Sequence, residues 1–192
     1  MIAIINYNAG NIQSIANALS RLGFDSTITD DPGEIIKADK VIFPGVGEAG
    51  SAMNYLKSKN LDQLIVSLKQ PTLGICLGLQ LMCKRSEESQ TPGLGIFDAV
   101  VRKFPPKDKI PHMGWNNFEY TAGKLMSNID KESNTYYVHS YYAEQCPQTK
   151  SICDYIIPFS ASMEKGNFYA TQFHPEKSGT IGDKILLNFL EI

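Results

Sequence analysis

The chain has 192 residues, a hydrophobic fraction of 43% and a formal net charge of −2. A globular chain of this length buries roughly 70% of the surface that its unfolded form exposes, so folding requires no disulfide or metal. The near-neutral charge excludes an extended basic surface for nucleic acid or an anionic membrane, and no apolar run is long enough to cross a bilayer. We therefore expect a single cytoplasmic domain spanning residues 1–192.

The first half of the chain alternates short apolar runs with helical patterns. Buried strands are predicted at residues 2–5, 26–29, 41–43 and 72–75, and helices at 12–22, 51–57, 61–68 and from residue 77 onward. The segment 31–33, Asp-Pro-Gly, is predicted to be a turn. Alternation of strands and helices is typical of a parallel sheet that carries helices on both faces.

The second half is richer in β-forming residues. Strands are predicted at 99–104, 116–120, 136–142, 160–164 and 168–173, and a final helix at 180–190. Residues 165–167, Lys-Gly-Asn, are typical of a hairpin turn. The predicted fold class is therefore α/β: a flavodoxin-like, doubly wound, mostly parallel sheet with a mixed or antiparallel β extension.

Cys76 lies in the most informative segment, a Gly-x-Cys-x-Gly motif between a predicted strand and a predicted helix. A nucleophile on such a sharp turn projects above the sheet edge, and the flanking glycines let the strand and the helix pass without a Cβ clash. The N-terminus of the helix favours the thiolate, and the amide of Leu77 is placed to stabilise an oxyanion. The alternative is a small core residue at the end of a buried strand.

His174 and Glu176 form the second candidate group. Pro175 favours an extended conformation at His174, so the side chains of residues 174 and 176 are predicted to point to the same side. A carboxylate bonded to one ring nitrogen leaves the other nitrogen free to serve a thiol. The alternatives are a surface histidine and a solvated charge; His112, expected in a loop, and His139, expected inside a strand, are rival bases.

The segment 44–47, Pro-Gly-Val-Gly, follows the third predicted strand and is here called the PGVG loop. Loops at the carboxyl ends of neighbouring parallel strands line one crevice, so this loop is predicted beside Cys76. Its amides would then bind an anion or complete an oxyanion hole; a plain sharp turn is the alternative. Cys83, Cys146 and Cys153 are predicted to be packing residues, and neither a metal nor a cofactor is predicted.

Taken together, GICLGLQ around Cys76 and FHPEKS around His174 and Glu176 resemble the class I, or triad, glutamine amidotransferases. Four further segments, NYNAGNIQS, PGVG, PHMGWN and VHSYY, resemble more narrowly the branch that serves as glutaminase subunits of imidazole glycerol phosphate synthases in histidine biosynthesis. The resemblance spans the whole chain and implies the fold of this family. One departure is Glu48-Ala49 after the PGVG loop, where relatives often carry His-Phe or Ala-Phe.

This resemblance implies a mechanism and a set of residues. Cys76 would attack the side-chain amide of glutamine, and His174, oriented by Glu176, would protonate the ammonia and then activate water. The amides of Leu77 and, after a flip of the loop, Val46 would hold the oxyanion. Four further positions match glutamine-binding positions of relatives: Gly47, Gln80, Ser140 and Tyr141.

The resemblance also implies a partner, a (β/α)8-barrel cyclase subunit that forms a heterodimer with the glutaminase. The cyclase would use the ammonia to make imidazole glycerol phosphate and aminoimidazole-carboxamide ribotide. Four residues match interface positions of relatives: Asn11, Met113, Trp115 and Lys177. Two alternatives stay open: a paralogue that supplies ammonia to a sugar-modifying enzyme, and a non-enzymatic flavodoxin-like module in which Cys76 senses redox state.

Overall fold

The structure, a computed structural model, describes residues 1–7 and 12–192. The described helices are α1 Ile12–Arg21, α2 Pro32–Lys37, α3 Ala49–Ser58, α4 Leu61–Ser67, α5 Leu77–Met82 and α6 Gly179–Glu191, with 3₁₀ turns at Glu88–Gln90 and Pro175–Lys177. Within these residues, no helix has the length and apolar character needed to cross a membrane.

The strands are short in the first half of the chain and longer in the second. They are β1 Ile2–Ile5, β2 Ser26–Thr29, β3 Lys40–Phe43, β4 Thr72–Ile75, β5 Arg85–Ser86, β6 Thr91–Pro92, β7 Val100–Lys103, β8 His112–Asn116, β9 Tyr120–Thr121, β10 Thr135–His139, β11 Tyr141–Ala143, β12 Thr149–Tyr155, β13 Ile157–Lys165 and β14 Phe168–Thr171.

The main sheet of the described chain has the order β2-β1-β3-β4-β14-β13-β12-β9. Its first five strands are parallel, and the strands from β14 to β9 pair antiparallel. Strands β10 and β8 form a separate antiparallel pair, and β11-β7-β5-β6 form a third sheet. The α/β prediction of a mostly parallel sheet with an antiparallel extension is therefore confirmed.

The centre of the main sheet is apolar because helices cover both faces of its parallel strands. Every residue of β1, β4 and β14 is buried. Helix α1 buries one stripe, Ile12, Ile15, Ala18 and Leu19. Complete burial of an aliphatic side chain of this size contributes roughly 1.5–3 kcal/mol, so the sheet centre is a rigid base for the loops at its edge.

Strands β4 and β14 place the two candidate motifs side by side. They pair in parallel, with Ile75 opposite Thr171. Cys76 follows β4 directly, and its amide donates to the Thr171 carbonyl at 2.7 Å. His174 lies three residues beyond the end of β14, so both motifs leave the sheet at the same edge.

The structure differs from the sequence prediction at several elements. No continuous strand spans 116–120, because β8 ends at Asn116 and β9 begins at Tyr120. The Asp-Pro-Gly segment opens helix α2 instead of forming a plain turn, because Asp31 Oδ1 accepts from the Glu34 amide at 2.9 Å and proline fits the first helical position. The strand predicted at 136–142 is interrupted at Ser140, where the chain passes from one small sheet to another. Strand β12 was not predicted because its buried face carries Ser151 and Cys153 instead of large apolar residues.

Candidate active site

Cys76 occupies the sharp turn between β4 and α5. Its backbone has φ 53° and ψ −104°, a conformation that residues with a side chain rarely adopt. Gly78 permits this turn, because a Cβ atom there would lie 2.0 Å from the carbonyl oxygen of Phe43. The predicted strand–turn–helix is present, and it holds the Cys76 side chain, 6% exposed as a residue, at the edge of the sheet.

His174 and Glu176 form a hydrogen-bonded pair next to Cys76. His174 Nδ1–H donates to Glu176 Oε1 at 2.8 Å, and both side chains are 2% exposed. Burial opposes protonation of the imidazole, but the Cys76 sulfur and the Glu176 carboxylate outweigh it and raise the pKa of His174 to about 10. Among the described residues, His174 Nε2 makes no hydrogen bond. The pair therefore leaves one ring nitrogen available beside the sulfur.

A cavity of about 360 Å³ opens over Cys76. Its volume is that of a small-ligand pocket. Seven residues expected in catalysis, oxyanion binding or glutamine binding line it: Val46, Gly47, Cys76, Leu77, Gln80, Ser140 and Tyr141. The rival base His139 lines it as well. Residues from three distant segments of the chain thus meet at one crevice.

Gln80 is buried in the wall of this cavity and does not lie on the exposed surface of α5. Its Nε2 donates to the Tyr141 carbonyl at 2.8 Å and to Gln172 Oε1 at 3.1 Å. Gln172 Nε2 in turn lies 3.6 Å from the sulfur of Cys76. Gln172 was not singled out from the sequence; the signal for it is its position two residues before His174, on the same side of an extended segment.

The PGVG loop packs directly against the Cys76 turn. A Cβ atom at Gly45 would lie 2.4 Å from Leu77 Cβ. The Leu77 amide, expected to face the reacting centre, instead donates to the Gly45 carbonyl at 3.3 Å. The buried hydroxyl of Tyr7 donates to the Pro44 carbonyl and holds the start of the loop. In this conformation the Leu77 amide is bonded to the loop and is not free to donate to an oxyanion.

Glu88 lines the cavity and has no motif around it in the sequence. Its Oε2 accepts from the Ala49 amide at 2.8 Å, just beyond the PGVG loop. Half-burial of the carboxyl group raises the pKa of Glu88. A carboxylate in this position is suited to bind a ligand ammonium group.

Glu48, which directly follows the PGVG loop, caps helix α3. Its two carboxylate oxygens accept from the amides of Gly50 at 2.8 Å and Ser51 at 2.7 Å. A bond from the Ser89 side chain and these two amides hold the pKa of Glu48 at about 2. Glu48 therefore serves as a helix cap and is not among the residues that line the cavity over Cys76.

The two rival histidines do not offer a nitrogen to Cys76. His139 Nδ1 contacts the Tyr141 carbonyl at 2.7 Å, and His139 Nε2 contacts His112 Nδ1 at 3.1 Å. Burial lowers the pKa of His112 to about 4 and that of His139 to about 3. His112 begins strand β8, so its expected placement in a loop is wrong.

The remaining cysteines and the expected interface residues lie away from this crevice. Cys83 and Cys153 are buried, and burial raises the pKa of both thiols, to about 12 at Cys153. Met113 and Trp115 are 60% and 59% exposed on β8, and Lys177 Nζ lies 5.9 Å from the centroid of the Tyr136 ring. Asn11 lies outside the described residues.

A nucleophile turn, an imidazole–carboxylate pair and a small cavity on a doubly wound sheet together point to one class of protein. The family model described as glutamine amidotransferase class-I matches residues 3–192. The chain belongs to the class I glutamine amidotransferases. A solved glutamine amidotransferase, 16% identical, superposes with a TM-score of 0.76 over 100% of this chain and 98% of the other, which shows the shared fold.

Relatives with higher sequence identity come from one branch of the family. The imidazole glycerol phosphate synthase subunit HisH of Bacteroides thetaiotaomicron is 54% identical over 194 residues, covering 100% of this chain and 99% of that protein. The subunit of the same name from Pasteurella multocida is 45% identical over 99% of this chain and 97% of its own length.

Proposed function

We propose that this chain is the glutaminase subunit of an imidazole glycerol phosphate synthase, which hydrolyses glutamine and supplies ammonia to a partner subunit. The observation that carries the proposal is the free ring nitrogen of His174, oriented by Glu176, beside Cys76 at the floor of a small cavity. Full-length identity of 54% to a subunit of that name supports this branch over a paralogue with another acceptor. A redox-sensing module would require neither His174 nor Glu176.

The proposed reaction uses three side chains. The Cys76 thiolate attacks the carboxamide carbon of glutamine, and His174 donates a proton to the departing ammonia, leaving a thioester. His174 then removes a proton from water, which attacks the thioester and releases glutamate and the thiol. Glu176 holds the ring in position and stabilises its charged form, consistent with the raised pKa of His174.

The proposed oxyanion donors are the amides of Leu77 and Val46. The Gly45 carbonyl occupies the Leu77 donor, so the PGVG loop has to move before both amides can face an oxyanion. Removal of one such donor costs roughly 10²–10³-fold in kcat. We therefore expect weak glutaminase activity from the isolated chain and stronger activity when the partner presents the loop correctly.

The cavity supplies groups for both ends of glutamine. We propose that Gly47, Gln80, Ser140 and Tyr141 hold the substrate, since amide, hydroxyl and backbone groups pair with its polar atoms. Glu88 is added to this set for the α-ammonium group, because its carboxylate reaches the same cavity. No cofactor enters this scheme.

The proposed partner is a (β/α)8-barrel cyclase, which would form a heterodimer with this chain and receive its ammonia in the cytoplasm. Met113 and Trp115 support a docking surface on β8, because large apolar side chains that are more than half exposed are typical of interface anchors. Lys177 and Asn11 complete the proposed interface, Lys177 from the turn that carries Glu176. We also propose that residues 1–192 act as one glutaminase domain.

Reconstitution with the cyclase from the same organism tests the proposal. The complex is expected to form imidazole glycerol phosphate from glutamine, and also from a high concentration of an ammonium salt. The Cys76→Ala complex is expected to lose the glutamine-dependent reaction and to keep the ammonium-dependent one. Loss of both reactions, or of neither, would overturn the assignment of Cys76; failure to restore growth without histidine in a strain that lacks this subunit would point to the paralogue.

A further inference from the structure

A buried chain of hydrogen bonds runs from strand β8 to the wall of the cavity. Asn116 Nδ2 lies 3.3 Å from His112 Nε2, and His112 Nδ1 lies 3.1 Å from His139 Nε2. His139 Nδ1 then lies 2.7 Å from the Tyr141 carbonyl oxygen. The chain thus spans four residues and ends at a group that lines the cavity.

The acceptor at the end of the chain fixes the direction of every bond. A carbonyl oxygen only accepts, so His139 donates from Nδ1; because its lowered pKa keeps the ring neutral, Nε2 then accepts. His112 must then donate from Nδ1 and accept on Nε2, where the Asn116 amide donates. The second proton of that amide goes to the Asp154 carbonyl at 3.0 Å. Both rings are therefore neutral Nδ1–H tautomers.

Aromatic rings hold the two imidazoles in place. His112 stacks between Tyr155, with a centroid distance of 4.1 Å, and Tyr137, at 4.8 Å. Phe159 packs edge-on against both histidines. Such an apolar surround lowers the pKa of His112 to about 4 and of His139 to about 3, so neither ring is charged near neutral pH.

We propose that His112 and His139 are positioning residues for glutamine: their one-directional hydrogen-bond chain fixes the Tyr141 carbonyl and ties the wall of the glutamine pocket to strand β8. The inference rests on the proposed function. The same carbonyl accepts from Gln80 Nε2 at 2.8 Å, so the chain and Gln80 hold it from two sides. His139 and Tyr141 both line the cavity.

Matched variants of His139 separate positioning from packing. His139→Phe keeps a ring in the aromatic cluster but removes both hydrogen bonds; His139→Asn keeps a donor near the position of Nδ1. In the reconstituted complex we expect His139→Phe to raise KM for glutamine about tenfold, the loss that about 1.4 kcal/mol represents, and to change kcat less than about threefold. His139→Asn is expected to recover most of the affinity.

Two further variants test the route and the packing. His112→Phe removes the donor to His139 and is expected to raise KM in the same direction by a smaller factor. Tyr155→Phe is the packing control, because it keeps the ring stacked on His112 and leaves the chain intact. An unchanged KM in His139→Phe overturns the proposal; so does a loss of about 100-fold in kcat at unchanged KM, which would make His139 a catalytic group.

The ring tautomers give a readout that does not depend on turnover. Nitrogen-15 spectra of the wild-type histidines are expected to show two neutral Nδ1–H rings that do not titrate between pH 5 and pH 8, and a third ring, His174, with a different signature. An Nε2–H tautomer at His112 or His139 would overturn the chain even if a variant failed to fold. Absence of glutamine hydrolysis in the wild-type complex would instead remove the proposed function and leave the tautomers measurable.

Discussion

Two buried histidines, His139 in the wall of the cavity and His174 beside Cys76, have opposite electrostatic surroundings. His174 lies beside the Cys76 sulfur and the Glu176 carboxylate, and its pKa is raised to about 10. His139 lies among aromatic rings and neutral hydrogen-bond partners, and burial lowers its pKa to about 3. Burial favours the neutral ring at both positions, so the charge of the neighbours decides the protonation state. A buried histidine is thus a proton carrier or a fixed hydrogen-bond element according to its partners.

The largest expected effect comes from removing the Cys76 sulfur, which lies beside His174. Cys76→Ala should lower glutamine-dependent kcat by about 10⁴-fold or more, because the nucleophile is absent. The pKa of His174 should also fall toward that of His139, since the sulfur is one of the groups that raise it. Steady-state assays and NMR titration of the ring check both effects. Cys146→Ser, outside the cavity, serves as the control; a high pKa retained in Cys76→Ala would contradict the electrostatic account.

A second, smaller effect is expected from neutralising the orienting carboxylate. Glu176→Gln keeps a hydrogen-bond acceptor but removes the charge, so the pKa of His174 should fall and kcat should decrease by about 10²-fold. KM for glutamine should change little, because Glu176 is not among the residues that line the cavity. The pH–rate profile of the complex measures this change, with exposed Glu132→Gln as the control. An unchanged profile would mean that Glu176 does not orient the ring.

His139 bonds to His112 on β8, the strand that also carries the proposed partner surface. On this strand His112 is buried, whereas Met113 and Trp115 are exposed. Trp115→Ala should weaken cyclase binding by about 2 kcal/mol, or about 30-fold in Kd, because a central tryptophan is a typical anchor. The Tm of the isolated chain should hardly change, since the side chain is 59% exposed. Tyr120→Ala, at a residue 52% exposed on β9, is the matched control. Equal weakening in both variants would place the interface elsewhere.

The smallest expected effect lies outside both histidine sites, at the helix cap that follows the PGVG loop. Glu48→Ala should lower the free energy of unfolding by about 1 kcal/mol, as for the loss of a helix cap. The pKa of Glu48 is lowered from 4.5 to about 2, so its contribution is present above pH 4.5 and is lost as the pH falls toward 2. Urea unfolding between pH 2 and pH 7 checks this dependence. Glu48→Gln should retain part of the cap without the pH dependence; a difference from wild type that stays constant with pH would contradict the prediction.

The sequence predicts the parallel half of the fold well because its signals are local. A few neighbouring residues are enough to indicate the local structure of the apolar runs in β1 and β4 and of the glycine-flanked turn at Cys76. His174 and Glu176 were predicted to lie together because i and i+2 share one side of an extended segment. The structure places His174 Nδ1 2.8 Å from Glu176 Oε1.

The parts that the sequence does not predict depend on contacts between distant segments. His112 and His139 meet across the β8–β10 pair, 27 positions apart in the chain, and Glu88 reaches the Ala49 amide from 39 positions away. The hydrogen-bond chain ends at the backbone carbonyl of Tyr141. Every residue has such a carbonyl, so the residue type gives no indication of its role. Gln80 was placed in the pocket by resemblance alone, since its position on α5 suits a surface residue equally well.

The glycine at position 78 has a mechanical consequence. Because there is no room for a Cβ atom between α5 and the last carbonyl of β3, the nucleophile-bearing helix and the strand that leads into the PGVG loop touch through their backbones. Because this contact contains no flexible side chain, α5 and β3 cannot easily slide past each other. We therefore expect the PGVG loop to rearrange by rotation of its own peptide planes, while α5 and β3 on either side of it keep their positions.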